Sequence, residues 1–156
     1  MLCAGLLASV VQANWANSFD DNYFAAGAVP TIVAWQLQIN MSTTGIYTIV
    51  LSGATNLLVN WGDSTSTNVT GTKTITNTYN TTGLYTLALS GAASQIQSGN
   101  STATRARLYK ILTVVQGISG LTSFNNTFTE ASSLTTSPTD LLTNMVAVTD
   151  LGNLFS

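Results

Sequence analysis

Thr43-Thr44-Gly45-Ile46-Tyr47-Thr48-Ile49-Val50-Leu51-Ser52-Gly53-Ala54 returns 38 residues later as Thr81-Thr82-Gly83-Leu84-Tyr85-Thr86-Leu87-Ala88-Leu89-Ser90-Gly91-Ala92. The two copies differ only by aliphatic or small apolar exchanges. In each, a turn glycine opens a run in which Tyr and aliphatic residues alternate with Thr and Ser, the period-2 pattern of a strand with one buried face. The shared Thr-Thr-Gly entry and Ser-Gly-Ala exit mark a repeated scaffold element rather than a reactive site.

Working outward, Thr31 to Ile39 alternates in the same way, and Thr72 to Tyr79 alternates Thr or Lys with Ile and Tyr. Asn56 to Trp61 is a short apolar run that stops at Gly62-Asp63, a turn signal, and Arg107 to Val115 is a further candidate strand. Turn chemistry between so many short runs predicts an all-β chain with the antiparallel sandwich as its architecture.

A second repeat lies near the C-terminal end. Leu121-Thr122-Ser123-Phe124-Asn125-Asn126-Thr127-Phe128 aligns with Val148-Thr149-Asp150-Leu151-Gly152-Asn153-Leu154-Phe155, 27 residues on. Periods in the twenties belong to leucine-rich repeats, whose units bury their faces only against neighbours. Ser133 to Thr135 reads as a short strand, and Asp140 to Met145 as a helical turn capped by Thr139.

Composition narrows the function. Of 156 residues only 6% are charged, with four Lys and Arg against six Asp and Glu, where soluble domains carry about 25%. Thr, Ser and Asn, about a third of the chain, must supply the polar surface. No basic field exists to attract nucleic acid. With no histidine and one cysteine, general acid–base chemistry near neutral pH, His-ligated metals, zinc clusters and a disulfide framework lose their usual residues. No cofactor and no catalytic residue is expected. A pair of carboxylates drawn from Asp63, Glu130, Asp140 and Asp150 would need a glycosidase geometry that nothing in the sequence suggests. Asp63 as a calcium ligand lacks companions at loop spacing; its simpler role is to hold the turn after Trp61.

Residues 1–30 are expected to form an N-terminal apolar arm. Met1 to Ala13 has the size of a signal peptide and a small-residue end, but no basic residue precedes it and it is too short to span a bilayer. Leu2, Leu6 and Val10 fit one helical face and are assembly candidates; Cys3 reads as a small buried thiol. Leu154 and Phe155 are assembly candidates at the other end, where the second repeat is expected to stop in mid-unit and to leave an apolar face without a polar cap. Weak charge leaves little to oppose close approach of like subunits.

Val59-Asn60-Trp61-Gly62-Asp63-Ser64-Thr65, followed by Thr78-Tyr79-Asn80-Thr81-Thr82-Gly83-Leu84-Tyr85-Thr86-Leu87, resembles a polycystic-kidney-disease (PKD) domain. Ser64 stands where that family has a second glycine, and Asn77 where histidine is usual. The resemblance implies an immunoglobulin-like β-sandwich of an extracellular protein, over residues 31–106, with Trp61, Gly62, Asp63, Tyr79, Gly83 and Tyr85 as its structural motif. Gly120 to Leu134 and Met145 to Phe155 resemble the leucine-rich repeats of BspA-like surface proteins of bacteria, protists and large DNA viruses, which implies an incomplete repeat segment over 107–156. The expected function is a non-catalytic structural subunit of an extracellular or virion-surface assembly, whether filament, surface layer or capsid-associated protein. Its expected partners are copies of itself or other structural subunits, with glycans as a second class, and neither nucleic acid nor a membrane span. The competing reading is a glycan- or host-binding adhesin that presents Trp15, Trp35 and Trp61 for sugar stacking; the strand patterns around Trp35 and Trp61 place those two in the core instead.

Five N-glycosylation sequons begin at Asn40, Asn68, Asn80, Asn100 and Asn125. Asn68, Asn80 and Asn100 fall in expected turns, where a glycan would be solvated; Asn125 lies in the repeat and is expected to face inward. Arg105, Arg107 and Lys110 form the one basic cluster, expected to be solvated or to pair between subunits with Asp140 or Asp150.

Overall fold

The structure is a computed structural model that describes residues 33–141 and 147–156. The expectations for the arm, including Leu2, Cys3, Leu6, Val10 and Trp15, lie outside the described residues, as does most of the helical turn expected after Thr139.

Alternating sequence becomes antiparallel sheet. Among the described residues the strands are β1 (Trp35–Met41), β2 (Gly45–Asn60), β3 (Ser66–Tyr79), β4 (Gly83–Ala92), β5 (Gln95–Ser98), β6 (Leu108–Ile111) and β7 (Ile118–Ser119), with one short helix, α1 (Thr102–Arg105). The main path runs β3-β2-β4-β1-β6; β5 joins β2, and β7 joins β4 as the one parallel pair between named strands. The described residues are therefore all-β in class, as the alternation implies. Trp35, Leu37, Ile39 and Met41 of β1 all face the core, while the Gln and Asn residues between them remain half-exposed.

The two apolar runs read as separate strands at 45–51 and 56–61 are one strand, β2, with a corner in it. Its register against β3 shifts between Leu51 and Ala54 and again between Ala54 and Leu57. Each shift leaves one extra residue on β2, and Gly53 (φ 58°) and Asn56 (φ 46°) take left-handed backbone there, as bulged strands do when they bend. Before the corner β2 lies between β3 and β5; after it, between β3 and β4. One strand thus supplies buried residues to two differently oriented stretches of sheet: Tyr47, Ile49 and Leu51 before the bend, Leu57 and Val59 after it.

The repeated Ser-Gly-Ala exit now has a physical reason. Gly91, the counterpart of Gly53, has φ 124° and passes so close to the corner that a Cβ would sit 2.5 Å from Asn56 O and 2.8 Å from the Leu57 Cα. Only glycine allows β4 to cross there.

The C-terminal stretch packs on the same core. Phe124 and Phe128 are buried edge-on against Trp35, with ring centroids 6.1 and 5.9 Å away. Ala34–Ser156 forms one compact unit.

Candidate functional site

The Trp61 turn is held from every side. Trp61 N–H donates to Thr65 O (3.0 Å), Gly62 N–H to Asn60 Oδ1 (2.9 Å), and the indole Nε1–H to Thr67 Oγ1 (2.9 Å). Asp63 Oδ1 accepts from Thr65 N–H (3.0 Å) and Thr65 Oγ1 (2.5 Å), while its Oδ2 accepts from Asn77 Nδ2 (2.7 Å). Partial desolvation works to raise the Asp63 pKa, but the bonds from Thr65 and Asn77 outweigh it and hold the carboxyl below its ordinary value. Behind the turn, Tyr79 donates its hydroxyl to Trp61 O (2.8 Å) and lays its ring 4.3 Å from that of Tyr85. Trp61 and Tyr79 are fully buried and Tyr85 is half-buried, with its hydroxyl donating to Thr81 O (3.0 Å). Gly62 has φ 78° and abuts the Thr86 backbone; Gly83 (φ 154°) opens β4. Thr65 and Asn77 complete the cluster: Thr65 is a near neighbour of Asp63 in sequence, whereas Asn77, paired with Tyr47 at the other end of β3, reaches Asp63 only through the fold of the sheet.

The second repeat is a physical stack. Phe124, Asn126, Phe128 and Glu130 donate their N–H groups to the carbonyls of Asp150, Gly152, Leu154 and Ser156 in turn, and Thr149 donates back to Thr122 O. The two copies therefore run parallel, each residue beside its sequence counterpart. Ser123 Oγ donates to Asp150 Oδ2 (2.9 Å), and Gly152 N–H to Asp150 Oδ1 (2.9 Å). The bond from Gly152 N–H, followed by that from Ser123, lowers the Asp150 pKa. Phe155 stacks on Phe128 at 5.3 Å. Similar spacing continues on the sheet side: Gln95 bridges Ser123, Ser98 N–H donates to Thr127 O, and Lys110 bridges Thr136. The Thr136 bridge lies just beyond the strand expected at Ser133 to Thr135.

The sequons separate by environment. Asn80 and Asn100 are exposed in turns. Asn68 is exposed too but lies within β3 opposite Leu58, not in a turn, because β2 continues past its corner and keeps β3 paired to Ser66. Asn40 is half-buried in β1, its N–H donating to Arg107 O. Asn125 is half-buried in the stack, with its carbonyl accepting from Gln95 Nε2 (2.9 Å).

The basic residues take partners within the chain. Arg105 Nη1 pairs with Glu130 Oε2 (3.0 Å), and Arg107 Nη1 donates to Ile46 O (2.7 Å). Lys110 Nζ lies 5.1 Å from the Tyr109 ring centre. Sequence reasoning also missed Tyr47, counterpart of Tyr85: its hydroxyl pairs with Ser98 Oγ in the core, and burial pushes its pKa up to about 12. The rings of Trp35 and Trp61 are buried and offer no sugar-stacking surface. Among the described residues no three His, Cys, Asp or Glu side chains come together, and no helix is long and apolar enough to cross a membrane.

Comparison with protein-family models, curated proteins and solved structures finds no match for this chain.

Proposed function

We propose that the chain is a non-catalytic structural subunit of an extracellular or virion-surface assembly, in which a PKD-like, immunoglobulin-like sandwich runs into coils of the leucine-rich type. The observation that carries this reading is the stack itself: residues 122–130 and 149–156 pair in parallel at the offset of their sequence repeat. Stacked coils are a quasi-one-dimensional way to build surface, in which each unit makes its main contacts with its neighbours. Support for the sandwich comes from β2, whose two halves pair with β5 and β4 in turn, and from the Trp61 turn closed by Asp63 and Tyr79.

The sparse charge favours the same role. A surface of Thr, Ser and Asn presents hydrogen-bonding groups without the like-charge repulsion that keeps subunits apart. Sedimentation of native material at micromolar concentration tests the reading. The expected result is a species heavier than the 16.3 kDa chain; a stable monomer overturns it.

A further inference from the structure

Among the described residues β3 is paired on one side only, by β2, and forms the outer edge of the sheet path over all 14 of its residues. Such an edge presents a row of backbone donors and acceptors, which proteins usually break with proline, bulges or several charges. Both bulges at the corner lie on β2, so β3 passes the corner with no extra residue, turning at Gly71 (φ 88°). It has no proline and one charge, Lys73. The opposite end of the path, β6, is covered by the bridge from Lys110 to Thr136.

We infer that β3 is a docking edge for the β3 of a second copy, paired antiparallel about a two-fold axis through Thr72. This rests on the reading of the chain as a structural subunit and names one contact of that assembly. Lys73 selects the register. Centred on Thr72, the pairing sets Lys73 opposite Gly71 of the second copy, a glycine around which a Cβ would meet nothing within 4 Å. Centred on Lys73, it would set like charges face to face. Centred on Gly71 or Thr74, it would lay the ammonium against Val69 or Ile75.

The Thr72 register suits the remaining positions as well. Every even-numbered residue from Ser66 to Thr78 is exposed on the outer face. Thr70 falls opposite Thr74 and Asn68 opposite Thr76, which makes a ladder of short polar side chains that pair well across strands. On the other face Val69 meets Ile75. A symmetric, self-complementary contact of this kind closes at a dimer.

The test uses the full chain and three sequences in sedimentation equilibrium at micromolar concentration. The wild type is expected at twice the chain mass of 16.3 kDa or more. Thr70→Lys/Thr74→Lys sets lysine against lysine twice across the axis, only in this register, and is expected to weaken the contact by about tenfold or more. Thr70→Lys/Thr74→Glu sets opposite charges together and is expected to restore it. Both pairs of substitutions are on exposed positions, and matching circular dichroism melts check that the fold survives. An associated wild type that neither variant shifts overturns the β3 contact and leaves the assembly reading standing. Equal loss in both variants overturns the Thr72 register and the inference with it. A monomeric wild type overturns both readings.

Discussion

Asn126 and Asn153 occupy equivalent places in successive coils and share a backbone conformation few residues accept, with φ of 58° and 50°. Asn126 N–H donates to Gly152 O, and Thr129 Oγ1 donates to Asn153 O at 2.6 Å, so the two corners are tied together. Asparagine tolerates the left-handed region better than other non-glycine residues. Asn126→Ala and Asn153→Ala should each lower stability by about 1 kcal/mol through backbone strain, and replacement by glycine should cost less; urea denaturation measures both.

Phe128 and Phe155 stand at one repeat position but differ in burial, at 1% and 56% exposed. Phe128→Ala should therefore cost about 3–5 kcal/mol, and Phe155→Ala clearly less, because the second ring is only half removed from water. Equal losses in chemical denaturation would contradict the stacking order.

In the Trp61 turn the core ring and the hydroxyl behind it can be separated by mutation. Trp61→Ala should cost about 3–5 kcal/mol for the buried indole. Tyr79→Phe keeps the ring but leaves Trp61 O without its donor, at about 1–3 kcal/mol. Gly62→Ala and Gly71→Ala share the left-handed strain, with φ of 78° and 88°, but only the first drives a Cβ into the Thr86 backbone. The difference between their melting temperatures measures that clash, and Gly62→Ala should be the more damaging.

Acid should loosen the same turn. The Asp63 pKa is lowered in the folded state from its ordinary 3.8, so its contribution to stability is present above that value and is lost as pH falls through the lower, folded one. Asp150 shifts in the same direction. Urea midpoints should drop between pH 6 and pH 3, and Asp63→Asn should shrink that drop while lowering stability at pH 6.

Native material from a host that glycosylates asparagine should carry glycan on at least one of Asn68, Asn80 and Asn100, whose side chains are exposed. Asn40 and Asn125, half-buried in β1 and in the coil stack, should remain bare. Peptide mass spectrometry distinguishes the two sets.

The all-β class was legible because burial on one face imposes alternation on the letters themselves, as in Trp35 to Met41. What was not legible was geometry that alternation does not encode. Gly53 and Asn56 carry turn chemistry, and in a linear reading they separate two strands; in three dimensions they bend one. Asn68 looked like a turn residue for the same reason, since only the continuation of β2 shows that β3 starts at Ser66. The Trp61 cluster was partly readable because Asp63 and Thr65 are neighbours in sequence, whereas Asn77, whose register partner is Tyr47 at the other end of β3, joins them only because the sheet folds back on itself. Arg105 finds Glu130 because the fold brings α1 beside the first of the two stacked copies, and no local pattern announces such a pairing.

β5 belongs to the sheet and to the coils at once: it pairs with β2, and its Gln95 and Ser98 carry the residues around Ser123 and Thr127. The inner coil is seated on the sheet, by these rungs to β5 and by the packing of Phe124 and Phe128 on Trp35, whereas the outer one is paired to the inner. Their ordering is therefore directional, like a zipper whose first tooth is fixed in the sheet and whose later teeth close only on those before them. Displacing β5 would strip the inner coil of its rungs at Ser123 and Thr127, while fraying at residues 149–156 leaves those rungs paired. Amide exchange should register that polarity as protection that declines outward, from Ile96 through Phe124 to Leu154.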